Sequence, residues 1–277
     1  MTSKEKTKRI IGEIILLAAT VVMLIPVYYF VISAFKLRMD ILTNPLTITP
    51  ALFTLNNFTE AYRKMKLWES FYNTGAITAV SMVFTIVCAS LSGFACARIK
   101  AKRFTVAYTF LVSLMVVPFV GCLIPLVVMF KKVNLLDSLW SCILIQAGWN
   151  LPFATFLYTG FMKGIPGELE EAATIDGCSL FGIYWKIFLP MLKPVTSTCI
   201  IRQGIGIWQD YIVSSSFLNS SKTPTLMVSV KKFFGQYVNE YGQSFAAVFM
   251  ITIPIAILFI FLQKYFIKGI AAGAVKG

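Results

Sequence analysis

Long apolar blocks separated by short charged segments make up nearly the whole chain. A bilayer core about 30 Å thick needs about 20 apolar residues in a helix. Four uncharged blocks meet that length: Ile14 to Phe35, Phe71 to Ala97, Phe104 to Phe130, and Ser138 to Met162. A fifth, Ser244 to Gln263, is just long enough. The region from about Leu189 to Ser216 is mainly apolar but carries Lys193, Arg202 and Asp210, and it counts as the remaining span. The pattern predicts an all-α membrane protein with six transmembrane helices in a single domain over residues 1–277. The first block has a rival reading as a secretory signal. Its 22 apolar positions exceed a signal core and no A-x-A site follows, so it is expected to persist as a span.

Basic residues in short loops orient such a chain. Lys4, Lys6, Lys8 and Arg9, then Arg98, Lys100, Lys102 and Arg103, form the densest short clusters. With six spans they share one side with Lys163, Lys186, Lys193, Lys264, Lys268 and Lys276. That side is expected to be cytoplasmic and to hold both termini. Pro26, Pro118, Pro125, Pro152 and Pro254 fall inside the spans, where each removes a helical hydrogen bond and predicts a kink. Small residues such as Ala89, Ser90, Ser92, Gly93 and Ala95 allow close approach between helices.

The most informative segment lies between the fourth and fifth spans, from Ile165 to Pro190. Pro166 suits a helix start, and Glu168, Glu170 and Glu171 favour the positive end of the helix dipole. Ile165, Leu169, Ala172 and Ala173 fall on one narrow apolar face. Gly177 can take the left-handed conformation that closes a helix, Ser179 is a candidate N-cap for a second one, and Pro190 marks the start of the next span. The prediction is a helix–turn–helix outside the membrane. It suits either insertion into a groove on a soluble partner or an amphipathic connector lying on the bilayer, and its acidic face fits anionic lipid poorly.

Composition agrees with the span pattern. Hydrophobic residues make up 57% and charged residues 13%, with mean hydropathy +0.77, about half the charge of a soluble chain. The net charge of +13 would suggest nucleic acid in a soluble protein, but much of it flanks the apolar blocks, so no nucleic-acid partner is expected. With no histidine and no paired CxxC among Cys88, Cys96, Cys122, Cys142, Cys178 and Cys199, neither a metal site nor histidine-based catalysis is expected. No cofactor is implied. The phosphate-cradling GxxxxGK[ST] loop does not occur, so energy for any transport must come from a partner. An ion-coupled transporter would place ionisable groups near the membrane centre, for which Arg202 alone qualifies. A membrane enzyme would need convergent carboxylates or a nucleophile–base pair, which the sequence does not offer.

One resemblance separates these classes. Glu171-Ala172-Ala173, Gly177 and Ile187-x-Leu189-Pro190 match the EAA signature of ABC importer permeases, EAA-x3-G-x9-I-x-LP, at every fixed position. Ser33-Ala34-Phe35-Lys36, Leu151-Pro152-Phe153, Trp208-x-Asp210 and the ending from Lys268 to Gly277 resemble the second permease subunit of maltose-type carbohydrate importers. Gln209 departs from the family's usual Asn in the Trp-Asn-Asp triplet.

The resemblance implies a bacterial inner-membrane subunit that is not an enzyme and passes a sugar or another polar solute such as a glycerol phosphate. It implies a second, paralogous permease, two ATP-binding cassette ATPases docked on the loop, and an extracytoplasmic solute-binding protein. Residues 171–173, Asp176, Gly177, Ile187, Leu189 and Pro190 would then couple to the ATPases. A tail of Gly273, Ala274, Val275, Lys276 and Gly277 would contact them, and the outer loop near 236–243, Asn239 included, would reach the binding protein. Arg202, Trp208 and Asp210 are candidates for the solute path. Arg202 has a structural alternative as a salt bridge or carbonyl clamp to the partner permease.

Overall fold

The computed structural model describes residues 3–219, 222–235 and 240–274, side chains at 3–5, 7 and 264–274 excepted. The helices in chain order are α1 (Ser3–Ser33), α2 (Arg38–Thr43), α3 (Asn56–Met65), α4 (Leu67–Arg98), α5 (Lys102–Ser113), α6 (Phe119–Lys132), α7 (Leu139–Lys163) and α8 (Glu168–Ile175). Then follow α9 (Leu180–Met191), α10 (193–208), α11 (Ile212–Phe217), α12 (Leu226–Val230) and α13 (Tyr241–Ala274). Both α9 and α10 contain a π-helical turn, at Tyr184–Phe188 and Ile200–Gly204.

Among the described residues, three helical stretches are long and apolar enough to cross a membrane: Lys8–Ser33, Leu67–Arg98 and Tyr241–Gln263. The block from Phe104 to Phe130 is not the single span expected. It forms two helices bent by 103°, the geometry of a broken span or a re-entrant loop. The cause is local. Pro118 pushes the residue before it out of helical geometry, and Val117 accordingly has φ −72° and ψ 124°. A 3-10 turn at Leu114–Val116 tightens the end of α5, and Pro118 caps α6. The region 189–216 also breaks. Here α10 ends at Trp208, and Asp210 turns its carboxylate onto the amides of Val213 and Ser214 to start α11. Pro190 lies inside α9 rather than at the start of a span, shortly after the π-helical turn at Tyr184–Phe188.

The chain forms two units. The first comprises residues up to 67 together with 229–253. Its core is aromatic: Phe35 stacks on Phe53 at 5.3 Å and meets Phe58 at 4.9 Å, with Phe249 closing the cluster. Just after α1 the chain turns at Lys36, which is fully buried and donates to the carbonyls of Asn44 and Pro45 at 2.7 and 3.2 Å. Burial lowers the pKa of this ammonium, against the opposing pull of Asp40. Asn57 from α3 donates to the carbonyls of Ala34 and Lys36, so the turn is pinned from two sides. The apolar stretch of α1 has no buried face, as suits a helix surrounded by lipid.

The second unit comprises residues 68–228 and those from 254 on, with a core of α4, α7, α9 and α10 side chains. Hydroxyl pairs join these helices: Ser92 to Thr155 at 3.0 Å, Tyr158 to Thr196 at 2.7 Å, and Ser90 to Tyr184 at 2.8 Å. In apolar surroundings such bonds hold helices that share no hydrophobic driving force. The small-residue stretch of α4 does what its composition predicts. Gly93 lies so close to α7 that a Cβ there would sit 2.8 Å from the Cβ of Tyr158 and 3.2 Å from the backbone of Thr159.

Gly93→Ala is therefore expected to force α4 and α7 apart, costing about 1–3 kcal/mol as an overpacked contact. Thermal unfolding of the purified protein in detergent should show a lower midpoint. An unchanged midpoint would contradict this close approach.

Candidate functional site

The segment from Ile165 to Pro190 holds two helices, α8 and α9, joined by a turn at Asp176–Ser179. Its first helix, α8, carries Glu168, Glu170 and Glu171 in the opening turn, where the unsatisfied amides favour negative charge. Gly177 has φ 78°, the left-handed geometry that a glycine adopts without a Cβ penalty. The amides of Gly177 and Cys178 bond back to Thr174 and Ala173 and close the helix end. Ser179 caps α9 by accepting from the amide of Gly182 at 3.2 Å. Asp176 is exposed at the end of α8, and its own amide reaches the carbonyl of Ala172.

The apolar stripe expected on α8 divides in two. Ile165 and Ala173 are buried against the core, whereas Leu169 and Ala172 face outward with Ile175, the last 86% exposed. The three glutamates divide likewise, with Glu168 and Glu171 exposed and Glu170 turned inward. The free face of α8 thus presents Glu171, Ala172 and Ile175 together with Gly177 at its end. On the far side of the turn, Tyr184 and Phe188 are buried against Phe94 of α4, at ring distances of 5.4 and 5.0 Å. Ile187 and Leu189 are half-buried against the same core, and Pro190 is exposed.

One residue joins all these parts, and sequence reasoning assigned it only to membrane orientation. Arg98, the last residue of α4, donates through Nη2 to the carbonyls of Met162 and Ile165, each at 2.6 Å. These carbonyls lie at the end of α7 and just beyond it, where helical partners run out. The Arg98 Nε stands 2.8 Å from Glu170 Oε1, an ion pair not aligned as a hydrogen bond. The guanidinium also lies 4.9 Å from the centre of the Phe188 ring. Only 13% of the Arg98 side chain and 22% of Glu170 remain exposed, so the pair is poorly screened. A planar guanidinium suits this task because it can address two carbonyls, a carboxylate and a ring face together. The sequence shows an arginine at the end of a small-residue stretch and three glutamates on the loop, but not which of them turns inward to meet it.

The three candidates for a solute path have different surroundings. Trp208 packs edge-on against Phe71 at 5.2 Å, and Asp210 caps α11, bonding the hydroxyl of Ser214 as well as two amides. Asp210 also borders a small cavity of about 160 Å³ with Gln146 and Trp149. Arg202 lines a second cavity, of about 340 Å³ beside the α5–α6 break, which shares Trp149 as a wall, with its guanidinium 4.5 Å from the centre of the Phe153 ring. In the tail, Gly273 and Ala274 end α13, while Val275, Lys276 and Gly277 lie outside the described residues. Residues 236–239 of the outer loop, Asn239 among them, also lie outside them.

Replacing Arg98 by alanine should leave Glu170 without its ion-pair partner and remove the side-chain donor to the Met162 and Ile165 carbonyls, of which Met162 keeps the amide of Ile165. The expected loss is about 1.5–3 kcal/mol, as for a hydrogen bond to a charged group. Hydrogen exchange of the purified protein should quicken over residues 166–178 while the middle of α4 keeps its protection. Unaltered exchange over 166–178 would show that Arg98 does not hold the loop.

Comparison with known proteins agrees with this geometry. Residues 86–272 match the family described as binding-protein-dependent transport system inner membrane component, which includes the whole helix–turn–helix. The chain is similar to the melibiose/raffinose/stachyose import permease protein of Bacillus subtilis, 36% identical with 99% of each chain covered. It is similar to the probable starch degradation products transport system permease protein of Thermoanaerobacterium thermosulfurigenes, 34% identical over 91% of each. It is also similar to the multiple sugar-binding transport system permease protein of Streptococcus mutans, 32% identical over 100% of each. Among solved structures, a chain of a bacterial ABC transporter involved in the import of the acidic polysaccharide alginate has the same fold. Its TM-score is 0.80 at 19% identity, covering 96% of this chain and 99% of that one. The chain is a multi-pass membrane protein belonging to the family of binding-protein-dependent transport system inner membrane components.

Proposed function

We propose that this chain is one permease subunit of an ATP-driven, binding-protein-dependent importer of a sugar or oligosaccharide. The observation that carries the reading is the exposed face of α8, with Glu171, Ala172 and Ile175 outward and the rest of the helix fastened to α4 by Arg98. A surface of that kind can receive a push from a soluble partner and pass it to a membrane helix. The small side chain at Ala172 permits close approach, and the Glu171 carboxylate addresses a basic residue in the partner's groove. Two ATPase subunits are the proposed partners, one on this loop and one on the loop of a second, paralogous permease. The relatives named for raffinose, starch products and multiple sugars support the solute class.

In this reading the spans number six. The three long helices and the broken α5–α6 pair supply four, and α7 and α10 supply the others. Both termini and the helix–turn–helix then lie in the cytoplasm, on the side of the basic clusters. Asp176, Ile187, Leu189 and Pro190 shape and anchor the loop, and residues 273–277 reach the ATPases. A solute-binding protein delivers its cargo to the opposite face.

Glu171→Ala and Gly177→Val test the coupling surface in the assembled importer. The first removes a charge from a docking contact, where truncation costs about 2–5 kcal/mol. The second places a β-branched residue at φ 78°, which it resists. Both variants should insert normally yet lose ATP-driven uptake, and the ATPases should no longer co-purify at full stoichiometry. Normal uptake by both would defeat the assignment. Separately, deletion of residues 272–277 should weaken ATPase docking while leaving the membrane helices intact. A truncated importer that assembles, hydrolyses ATP and transports normally would show the tail to be dispensable. A thermal-shift screen of the cognate binding protein names the solute. Stabilisation by sugars is expected, and a response to glycerol phosphates alone would move the assignment to those anions.

A further inference from the structure

The cavity beside the α5–α6 break is lined by Leu114, Met115 and Val117 on one side and by Trp149, Phe153 and Arg202 on the other. Its volume of about 340 Å³ falls within the range of small-molecule sites, about 300–1,000 Å³. The wall is held in place. Trp149 packs edge-on against Phe119, the first residue of α6, at 4.8 Å. The Gln203 amide donates to the carbonyl of Asn150 at 2.7 Å, and the Asn150 amide donates to the carbonyl of Gln146 at 2.8 Å. The first bond joins α10 to α7 and the second lies within α7.

Arg202 is the charged group in this lining. It is exposed and makes no hydrogen bond or ion pair among the described residues, and its guanidinium lies over the Phe153 ring. It stands nine residues beyond Lys193, about 13.5 Å of helical rise, which in the six-span reading places it inside the fifth span. A cation at that depth facing lipid costs about 2.5–3.5 kcal/mol, so an arginine left without a protein partner calls for oxygen ligands from elsewhere. Its planar fork of donors matches paired oxygens, and its stacking on Phe153 leaves the edge of the fork free to donate. The aromatic faces of Phe153 and Trp149 complement the apolar C–H face of a saturated ring.

Resting on the importer reading, we propose that this cavity is a solute subsite, in which Arg202 donates to adjacent oxygens of a hydroxylated ring stacked against Phe153 and Trp149. The ligand chemistry is a saturated ring with paired oxygen acceptors, supplied either by neighbouring hydroxyls of a neutral sugar or by the carboxylate of an acidic one. The α5–α6 break forms the opposite wall. The subunit therefore takes part in recognising the solute during its passage, besides passing on the ATPase stroke.

Cys122 lines the same cavity and serves as a native reporter. The assembled importer in nanodiscs, with the other five cysteines replaced, is treated with an anionic sulfonatoethyl and a cationic trimethylammonium-ethyl methanethiosulfonate. The anionic reagent should react about tenfold faster after correction for their rates with free thiol, the equivalent of one charge-assisted hydrogen bond. Arg202→Gln should abolish that advantage and Arg202→Lys should keep much of it. Raffinose and digalacturonate serve as neutral and acidic probes at high millimolar concentration, with betaine as the osmotic control. Severalfold slowing by raffinose places a neutral ring in the cavity, and slowing by digalacturonate alone places an acidic one. Each outcome supports the subsite. Slowing by neither sugar overturns it. So does a Cys122 that stays unreactive in every nucleotide state, since the partner permease then seals the cavity and Arg202 serves the interface. ATP-dependent uptake by the unaltered importer in the same preparation tests the parent reading independently.

Discussion

Arg98 meets a problem that arises wherever a membrane helix ends and a loop must be held rigidly. The last carbonyls of a helix have no intrahelical donor, and water that could satisfy them would also loosen the loop. One guanidinium removes the difficulty. It takes the carbonyls of Met162 and Ile165, balances the carboxylate of Glu170 and lies over the ring of Phe188. Everything that α8 and α9 present outward is positioned relative to this junction. Lysine could supply the charge but has no planar fork for several oxygens and no face for the ring.

The junction also explains how a short helix can act on long ones. α8 is only eight residues, below the length at which a helix persists alone in water. Its stability comes from outside: Ala173 is buried, Glu170 is paired, and Gly177 permits the turn into α9. In α9, Tyr184 and Phe188 are packed against Phe94, and Ser90 bonds the Tyr184 hydroxyl. Displacement of α8 is thus resisted by the C-terminal half of α4 at two levels. Gly93, pressed against Tyr158, extends the same rigid contact into α7.

At the other extreme are the places where helices are interrupted. Pro118 ends one helix geometry and starts another, so the two parts of the third apolar block diverge by 103°. Broken helices at membrane depth are tolerated where protein or a cavity, rather than lipid, surrounds the freed backbone. The cavity holding Arg202 adjoins that break. Arg202 lies within the π-helical turn at Ile200–Gly204, and a second such turn at Tyr184–Phe188 precedes it in α9; each widens the helix locally instead of breaking it.

Much of this was legible along the chain. Apolar blocks announced the helices because a bilayer sets their length directly, and α4 and α7 follow their blocks to within a few residues. Gly177 and Ser179 announced the turn because only particular residues tolerate φ > 0 or cap an amide. Local chemistry is enough for such features. The 103° break was less legible: a proline inside a membrane helix can kink it slightly or split it, and the surrounding contacts decide which. The roles of the charged residues were not legible at all. Glu168, Glu170 and Glu171 are chemically alike and adjacent, yet only Glu170 reaches the guanidinium of a residue seventy-two positions earlier. Asp210 and Arg202 looked like members of one path, but Asp210 serves its own backbone while Arg202 is left facing a cavity. The sequence by itself determined the membrane helices, the turn and the family signature, since each depends on residues near one another or on a solvent that acts on every residue alike. Which carboxylate is paired, where a helix breaks and which arginine stays unpartnered were decided by tertiary structure, because a charge is defined by what packing brings within a few ångströms of it.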